Sequence, residues 1–235
     1  MTPTTTPALE ARDVARRFGR HWALAHLDLT VEPGESVLLA GPNGSGKTTF
    51  LRLAAGLYRA THGTLSVFGR DVRAERQTSR RFLSLVSHDA YLYPRLTALE
   101  TVRVWARLLG RPARDADLMP LLDEVDLTAA GGQPVGGFSA GMRKRLTLLR
   151  SRLEGSRLVL LDEPFAALDV PGQKLVERWI AGFRRDGVAV VLASHSLEQA
   201  ARLCDRAVVL HHGQKAWQGA AADVVSRFEE VTCRN

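Results

Sequence analysis

Residues 41 to 48, Gly41-Pro42-Asn43-Gly44-Ser45-Gly46-Lys47-Thr48, fit G-x-x-x-x-G-K-[ST] without a mismatch. No other stretch limits so sharply what this chain can fold into. The pattern has a physical cause. Its glycines let a tight turn aim backbone N–H groups at a polyphosphate, and the helix that follows adds the positive end of its dipole. The lysine reaches the outer phosphates, and the threonine hydroxyl can ligate Mg²⁺. Thr49, next in line, belongs to the same phosphate-binding set. Such a loop must follow a strand and open a helix. Val37 to Ala40 is a short apolar run ending at Gly41, and a helical pattern runs from Lys47 to Gly56.

A second segment supplies what a phosphate loop lacks. Leu158 to Leu161 is an apolar strand that ends in Asp162-Glu163-Pro164. A strand ending in two carboxylates is by itself an ordinary solvated turn. Paired with a phosphate loop it acquires a task, because phosphoryl transfer is mostly positioning and charge neutralisation. Asp162 then serves the metal, Glu163 stands where a water is polarised, and Lys47 completes the catalytic set.

Leu27 to Val31 alternates like a strand, and Pro33-Gly34 turns it; further buried-strand candidates are Thr64 to Val67, Leu83 to Ser87, Val188 to Ala193 and Ala207 to Leu210. Helical patterns lie between several of them, which indicates an α/β sheet with a parallel core. From Thr97 to Leu153 no strand is expected. Thr97 to Leu109, Asp117 to Val125 and a third segment capped by Ser139 read as helices. The expected architecture is one domain over 1–235. Its P-loop core of the RecA-like kind spans about 1–87 and 156–235, with an antiparallel β edge. A helical subdomain over about 88–155 is inserted into it.

Between the two phosphate-handling segments lies Phe138-Ser139-Ala140-Gly141-Met142-Arg143-Lys144-Arg145, which resembles the L-S-G-G-Q signature of ABC ATPases. Ala167-Leu168-Asp169 looks like that family's D-loop, and Ala193-Ser194-His195 like its switch histidine. Phe18-Gly19 falls where the family places an aromatic that stacks on adenine. The order and spacing match from about Leu9 to Phe228.

The resemblance implies ATP and Mg²⁺ as cofactors, with Thr48 and Asp162 serving the metal. It implies two nucleotide-binding domains paired head to tail, so that Ser139, Ala140, Gly141 and Met142 of one cover the ATP held by the other. Glu163 and His195 are then catalytic, and Asp169 lines the dimer interface. A serine at a helix N-terminus suits this, since backbone N–H groups there are free to meet a phosphate.

The sequence departs from the family in three places. Ala140 replaces the first signature glycine and Met142 the glutamine. His88 stands where the Q-loop glutamine is expected, and Mg²⁺ prefers oxygen ligands. His88 followed by Leu92-Tyr93 and Leu96-Thr97-Ala98-Leu99-Glu100 is similar to the ATP-binding subunit of the cytochrome c maturation heme exporters. That similarity implies heme export. The alternatives are another small exporter for drugs, lipids or polysaccharides, or an ABC ATPase that never meets a membrane. No zinc module or long coiled coil of the soluble kind is present.

The remaining expectations are negative. No apolar run approaches the about 20 residues of a membrane span, and Met1 to Pro7 does not read as a secretory signal. The chain is expected at the cytoplasmic face of the membrane, bound to integral subunits. Its net charge of +7 comes from arginines spread along the whole chain, so nucleic acid is not an expected partner. The two cysteines, Cys204 and Cys233, have no metal-ligand spacing, and Cys204 is placed in an apolar helical stretch as a buried free thiol.

Overall fold

A computed structural model describes residues 6–87 and 92–232. The chain opens with an antiparallel hairpin, β1 (Leu9–Phe18) and β2 (His21–Val31), then β3 (Ser36–Ala40) and α1 (Lys47–Ala54). β4 (His62–Val67), β5 (Arg70–Asp71), α2 (Arg76–Arg80) and β6 (Leu83–Val86) follow. Next come α3 (Ala98–Leu108), α4 (Asp115–Asp123) and α5 (Ala140–Glu154). The second half runs β7 (Leu158–Asp162), α6 (Val170–Arg185), β8 (Ala189–Ala193), α7 (Leu197–Ala201), β9 (Arg206–His211), β10 (Gln214–Ala220) and α8 (Val224–Thr232).

The strands form two sheets. The larger has order β10-β9-β3-β8-β7-β6, parallel except where β10 pairs with β9. The smaller has order β2-β1-β4-β5 and is antiparallel. Every residue of β3, β7 and β8 is buried, as parallel strands covered on both faces must be. One face packs on α1 and the antiparallel sheet through Leu39, Phe50, Leu53 and Leu27. The other packs on α6 and α8 through Leu161, Val176, Ile180 and Val224.

The α/β class, the antiparallel edge and the helical part match the expectation. Residues 98–154 hold three helices around a core of their own, including Val102, Leu118, Leu122, Leu146 and Leu149. Leu175 of α6 joins that core, and Leu148 of α5 joins the core under the sheet, so the helical part is bolted to the sheet through α5 and α6. α3 begins with a full capping box: Thr97 Oγ1 accepts from the Glu100 N–H at 3.1 Å, and Glu100 Oε2 accepts from the Thr97 N–H at 2.8 Å. Such a pair satisfies two orphan donors and stabilises the helix by about 1 kcal/mol.

Several details differ from the sequence reading: β2 begins at His21 rather than Leu27, and β1 and β10 are strands where none is expected. α4 starts at Asp115 rather than Asp117, because two aspartates in its first turn favour the helix N-terminus, and its chain leaves through Asp126 at φ +52°. α1 ends at Ala54, two residues short of Gly56, which turns the chain at φ +65°. Cys204 lies just past α7 rather than within a helix. It is a free thiol, half-buried rather than buried, and desolvation pushes its pKa up to about 12.

Candidate functional site: a phosphate loop and the acidic end of β7

The loop between β3 and α1 depends on its glycines. Gly41 sits at φ +148°, and a Cβ there would lie 2.4 Å from the Leu210 carbonyl oxygen. Gly46 sits at φ +106°, and a Cβ there would lie 2.5 Å from the Ala23 carbonyl oxygen and 2.7 Å from Leu24 Cδ2. No side chain caps α1, whose N-cap is Gly46 itself. Its first-turn N–H groups are therefore left for a ligand, and a positive helix end faces the loop. Asn43 and Gly44 are exposed at the loop's tip, Pro42, Thr48 and Thr49 are half-buried, and Ser45 is buried.

Lys47 is buried, and its Nζ donates to the carbonyl oxygens of Gly41 at 2.7 Å and Pro42 at 3.0 Å. The ammonium is thus folded back along the loop. Burial lowers its pKa, while Glu163 and Asp162 push it back up. Thr48 Oγ1 donates to Asp162 Oδ1 at 3.1 Å, joining the start of α1 to the end of β7. Asp162 is only 5% exposed. Burial raises its carboxyl pKa, and the neighbouring Glu163 adds to the rise.

Glu163 has left the strand and takes φ +48°. Its Oε2 lies 2.9 Å from His195 Nδ1, 3.3 Å from Ser194 Oγ and 3.4 Å from the His195 backbone N. β7 and β8 are parallel neighbours with Asp162 beside Ala193. That register sets the acidic end of one strand against the Ser194-His195 exit of the next. Topology therefore assembles the site at the carboxyl ends of β3, β7 and β8, where open α/β sheets bind ligands.

Two residues that the sequence reading did not assign join this group. Ser194 is fully buried and donates to Glu163. Lys144, from α5, is buried and donates from Nζ to the backbone oxygens of Asp162 at 3.1 Å and Glu163 at 3.0 Å. Burial draws its pKa down to about 8, against the pull of the Asp162 and Glu163 carboxylates. Its signal in the sequence was a single lysine inside a stretch whose neighbours, Leu146 and Leu148, are core residues.

The other expected residues lie around this centre. Ser139 is the N-cap of α5, and its Oγ accepts from the Met142 N–H at 3.1 Å. Ala140 is exposed and Gly141 half-buried at the same helix start. A Cβ added to Gly141 would lie 3.2 Å from the backbone oxygen of Ala167 and 3.6 Å from Leu168 Cδ2. Asp169 caps α6, its Oδ1 accepting from the Gly172 N–H at 3.0 Å. Phe18, at the end of β1, is 40% exposed. It meets Tyr58 edge-on at 5.5 Å, and the Arg16 guanidinium lies 4.4 Å over its ring. Arg16 is opposite Leu24 in the hairpin, and Leu24 abuts Gly46, which brings this end of the hairpin beside the loop. His88 lies outside the described residues.

As a metal site, Thr48 and Asp162 offer a hydroxyl and a carboxylate oxygen 3.1 Å apart at the mouth of the loop. Two hard oxygen donors with the remaining positions open suit Mg²⁺, which keeps several waters and takes phosphate oxygens. Among the described residues no cluster of three or more His, Cys, Asp or Glu side chains could hold a metal alone. No described helix is long and apolar enough to cross a membrane.

A phosphate loop, a hydroxyl–carboxylate pair and a second carboxylate tied to a histidine define a P-loop nucleotide-binding protein. Residues 24–166 match the family model described as ABC transporter. The chain is 33% identical over 227 residues to the Nod factor export ATP-binding protein I of Burkholderia lata, covering 96% of this chain and 74% of that protein. It is 32% identical to the protein of the same name from Cupriavidus metallidurans, covering 97% and 75%. The solved structure of an ATP binding subunit of an ABC transporter superposes with TM-score 0.84 at 28% identity, over 95% of this chain and 94% of that one. A dimeric ATP-binding cassette in a post-hydrolysis state, bound to ADP and Pi, has the same fold, with TM-score 0.81 at 23% identity over 91% and 98%. The chain belongs to the ABC transporter family, as one of its ATP-binding subunits.

Proposed function

We propose that this chain hydrolyses ATP to drive a membrane exporter. The observation that carries this reading is the Glu163 carboxylate, held by His195 Nδ1 at 2.9 Å one residue beyond the Thr48–Asp162 pair. The loop N–H groups from Asn43 to Thr49 bind the phosphates, with Gly41 and Pro42 shaping the turn, and Lys47 exchanges its carbonyl partners for phosphate oxygens. Thr48 and Asp162 would hold Mg²⁺, which supplies charge neutralisation on those oxygens when bound. Glu163 orients the attacking water and accepts its proton, with His195 and Ser194 fixing the carboxylate. General-base positioning of this kind contributes about 10²–10⁴-fold to rate.

The working unit is proposed to be two such domains paired head to tail. Each has a core over about 1–87 and 156–235 and a helical subdomain over about 88–155. Ser139, Ala140, Gly141 and Met142 of each copy close over the partner's ATP. Asp169 lies at the shared interface, Phe18 stacks on adenine, and His88 stands at the contact with integral membrane subunits at the cytoplasmic face. The extra methyl of Ala140 sits on an exposed helix start with Gly141 beside it, which favours a signature that still works. Lys47→Ala tests the assignment. Loss of ATPase activity together with loss of ATP affinity is the expected result, and unchanged activity refutes it.

Export is supported by the names of the relatives above, which are Nod factor exporters rather than heme exporters. Heme as cargo is a second reading, and it is favoured by the run from His88 to Glu100. Part of that run has a local cause, since Thr97 and Glu100 form the capping box of α3. A strain lacking the gene separates the readings. Loss of covalent c-type cytochromes supports heme, and normal cytochromes leave another exported compound.

A further inference from the structure

Lys144 is the buried ammonium that the mechanism above leaves without a task. It is 7% exposed, projects from α5 and ends on the backbone oxygens of Asp162 and Glu163. Ammonium groups are strongly hydrated, and burying one is unfavourable unless its donors are used. A solvated lysine on this helix would cost nothing, so the placement needs a cause.

The backbone that Lys144 touches supplies one. Glu163 is held at φ +48°, a conformation that costs a non-glycine residue about 1–2 kcal/mol. It persists only where the surroundings fix it. The Glu163 N–H donates to the Ala193 oxygen at 2.9 Å, and its carbonyl accepts from the Ala166 N–H at 3.2 Å as well as from Lys144. Lys144 is the one side chain with a hydrogen bond to the two carbonyls flanking the carboxylate's attachment, among the described residues. It also lies on the helix that Ser139 caps. Five residues at about 1.5 Å rise separate the two, roughly 7.5 Å along a rigid rod. At the same helix start, a Cβ added to Gly141 would lie 3.2 Å from the backbone oxygen of Ala167, itself at φ +61° in the turn after Glu163.

We infer that Lys144 is a positioning residue that ties Glu163 to the signature helix, so that the helical part cannot shift without carrying the hydrolytic carboxylate with it. When a partner's ATP engages Ser139 and Gly141, the movement of α5 reaches Glu163 through this ammonium rather than through the Asp162 or Glu163 side chains. The inference rests on the assignment of Glu163 as the residue that activates water.

The test compares full-length wild type, Lys144→Met, Lys144→Arg, Glu163→Gln and the Lys144→Met/Glu163→Gln double variant. Steady-state ATPase rates and binding of a fluorescent ATP analogue are the readouts. Methionine keeps the stem and its packing but loses the donors. Its kcat is expected to fall on the order of 10–100-fold, the scale of a misplacement of about 1 Å, with nucleotide affinity within about twofold. Arginine should restore most of the rate. In the Glu163→Gln background the methionine should lower residual turnover no further. If Lys144→Met does not fold by circular dichroism, Lys144→Gln takes its place in both backgrounds. A neutral variant with wild-type kcat, or a full multiplicative loss in the double variant, overturns the inference. Full turnover by Glu163→Gln overturns instead the reading on which it rests.

Discussion

Gly44 and Gly46 are neighbours in the same loop, both at positive φ, yet alanine should affect them very differently. Gly44 sits at φ +82° with nothing within 4 Å of an added Cβ. Alanine there meets only the backbone penalty, about 1 kcal/mol. Gly46 sits at φ +106°, where an added Cβ lies 2.5 Å from the Ala23 oxygen and 2.7 Å from Leu24 Cδ2. The Ala23 contact is with backbone in β2, which is locked into the hairpin and cannot yield cheaply. Backbone strain of about 1–3 kcal/mol and overpacking of about 1–3 kcal/mol add to roughly 3 kcal/mol or more. In a chain of this size each kcal/mol lowers Tm by about 2–4 °C. Gly44→Ala should therefore lose about 2–4 °C in nucleotide-free thermal denaturation, and Gly46→Ala about 6–12 °C. If the two variants melt within about 1 °C of each other, the close approach of the loop to β2 is not what demands glycine at position 46.

Other perturbations bear on the same site and its supports. Asp162→Asn removes a buried charge whose pKa burial has raised. A carboxyl with a raised folded pKa favours the folded state most when protonated, and that contribution is lost as pH rises through the folded value. The variant should thus melt higher than wild type at neutral pH, with a gain that shrinks toward the ordinary aspartate range near pH 3.8; a pH series of melting curves reads this directly. Thr97→Ala breaks the capping box of α3 and should lower stability by about 1 kcal/mol while leaving ATP affinity unchanged in an equilibrium titration. In a Cys233→Ser chain, half-buried Cys204 should react with a disulfide reagent at about pH 8 far more slowly than it does after unfolding, since desolvation holds its pKa near 12.

The parts most legible in the sequence were those where chemistry and burial coincide. Val37 to Ala40 and Leu158 to Leu161 are continuous apolar runs because both faces of their strands are covered. Each ends in residues whose types a phosphate site requires. Ser139 was legible as a cap because a hydroxyl before a helical pattern has few other uses. β1 was not legible, for a physical reason. Asp13 at φ +51°, facing a His26 at φ +53°, breaks the register between Ala11 and Val14. Burial passes from Leu9 and Ala11 to Val14 and Ala15, so the alternation that marks a strand changes phase midway. β10, largely exposed at a sheet edge, carries no apolar run at all. Lys144 escaped for the opposite reason. A lysine among arginines on a helix reads as solvated, and only the packing of α5 against the end of β7 reveals that its head is buried. The run from Leu96 to Glu100 also serves the local fold. Its threonine and glutamate satisfy each other at a helix start, whatever the cargo.

The central claim, that Glu163 activates water for ATP hydrolysis, is tested most directly by single-turnover ATPase measurement on Glu163→Gln, followed by size-exclusion chromatography with Mg-ATP. Glutamine preserves the shape that His195 and Ser194 hold but cannot accept the proton. A fall in rate on the order of 10²-fold or more, with ATP retained unhydrolysed in a dimer, is the expected result. Turnover at the wild-type rate would contradict it.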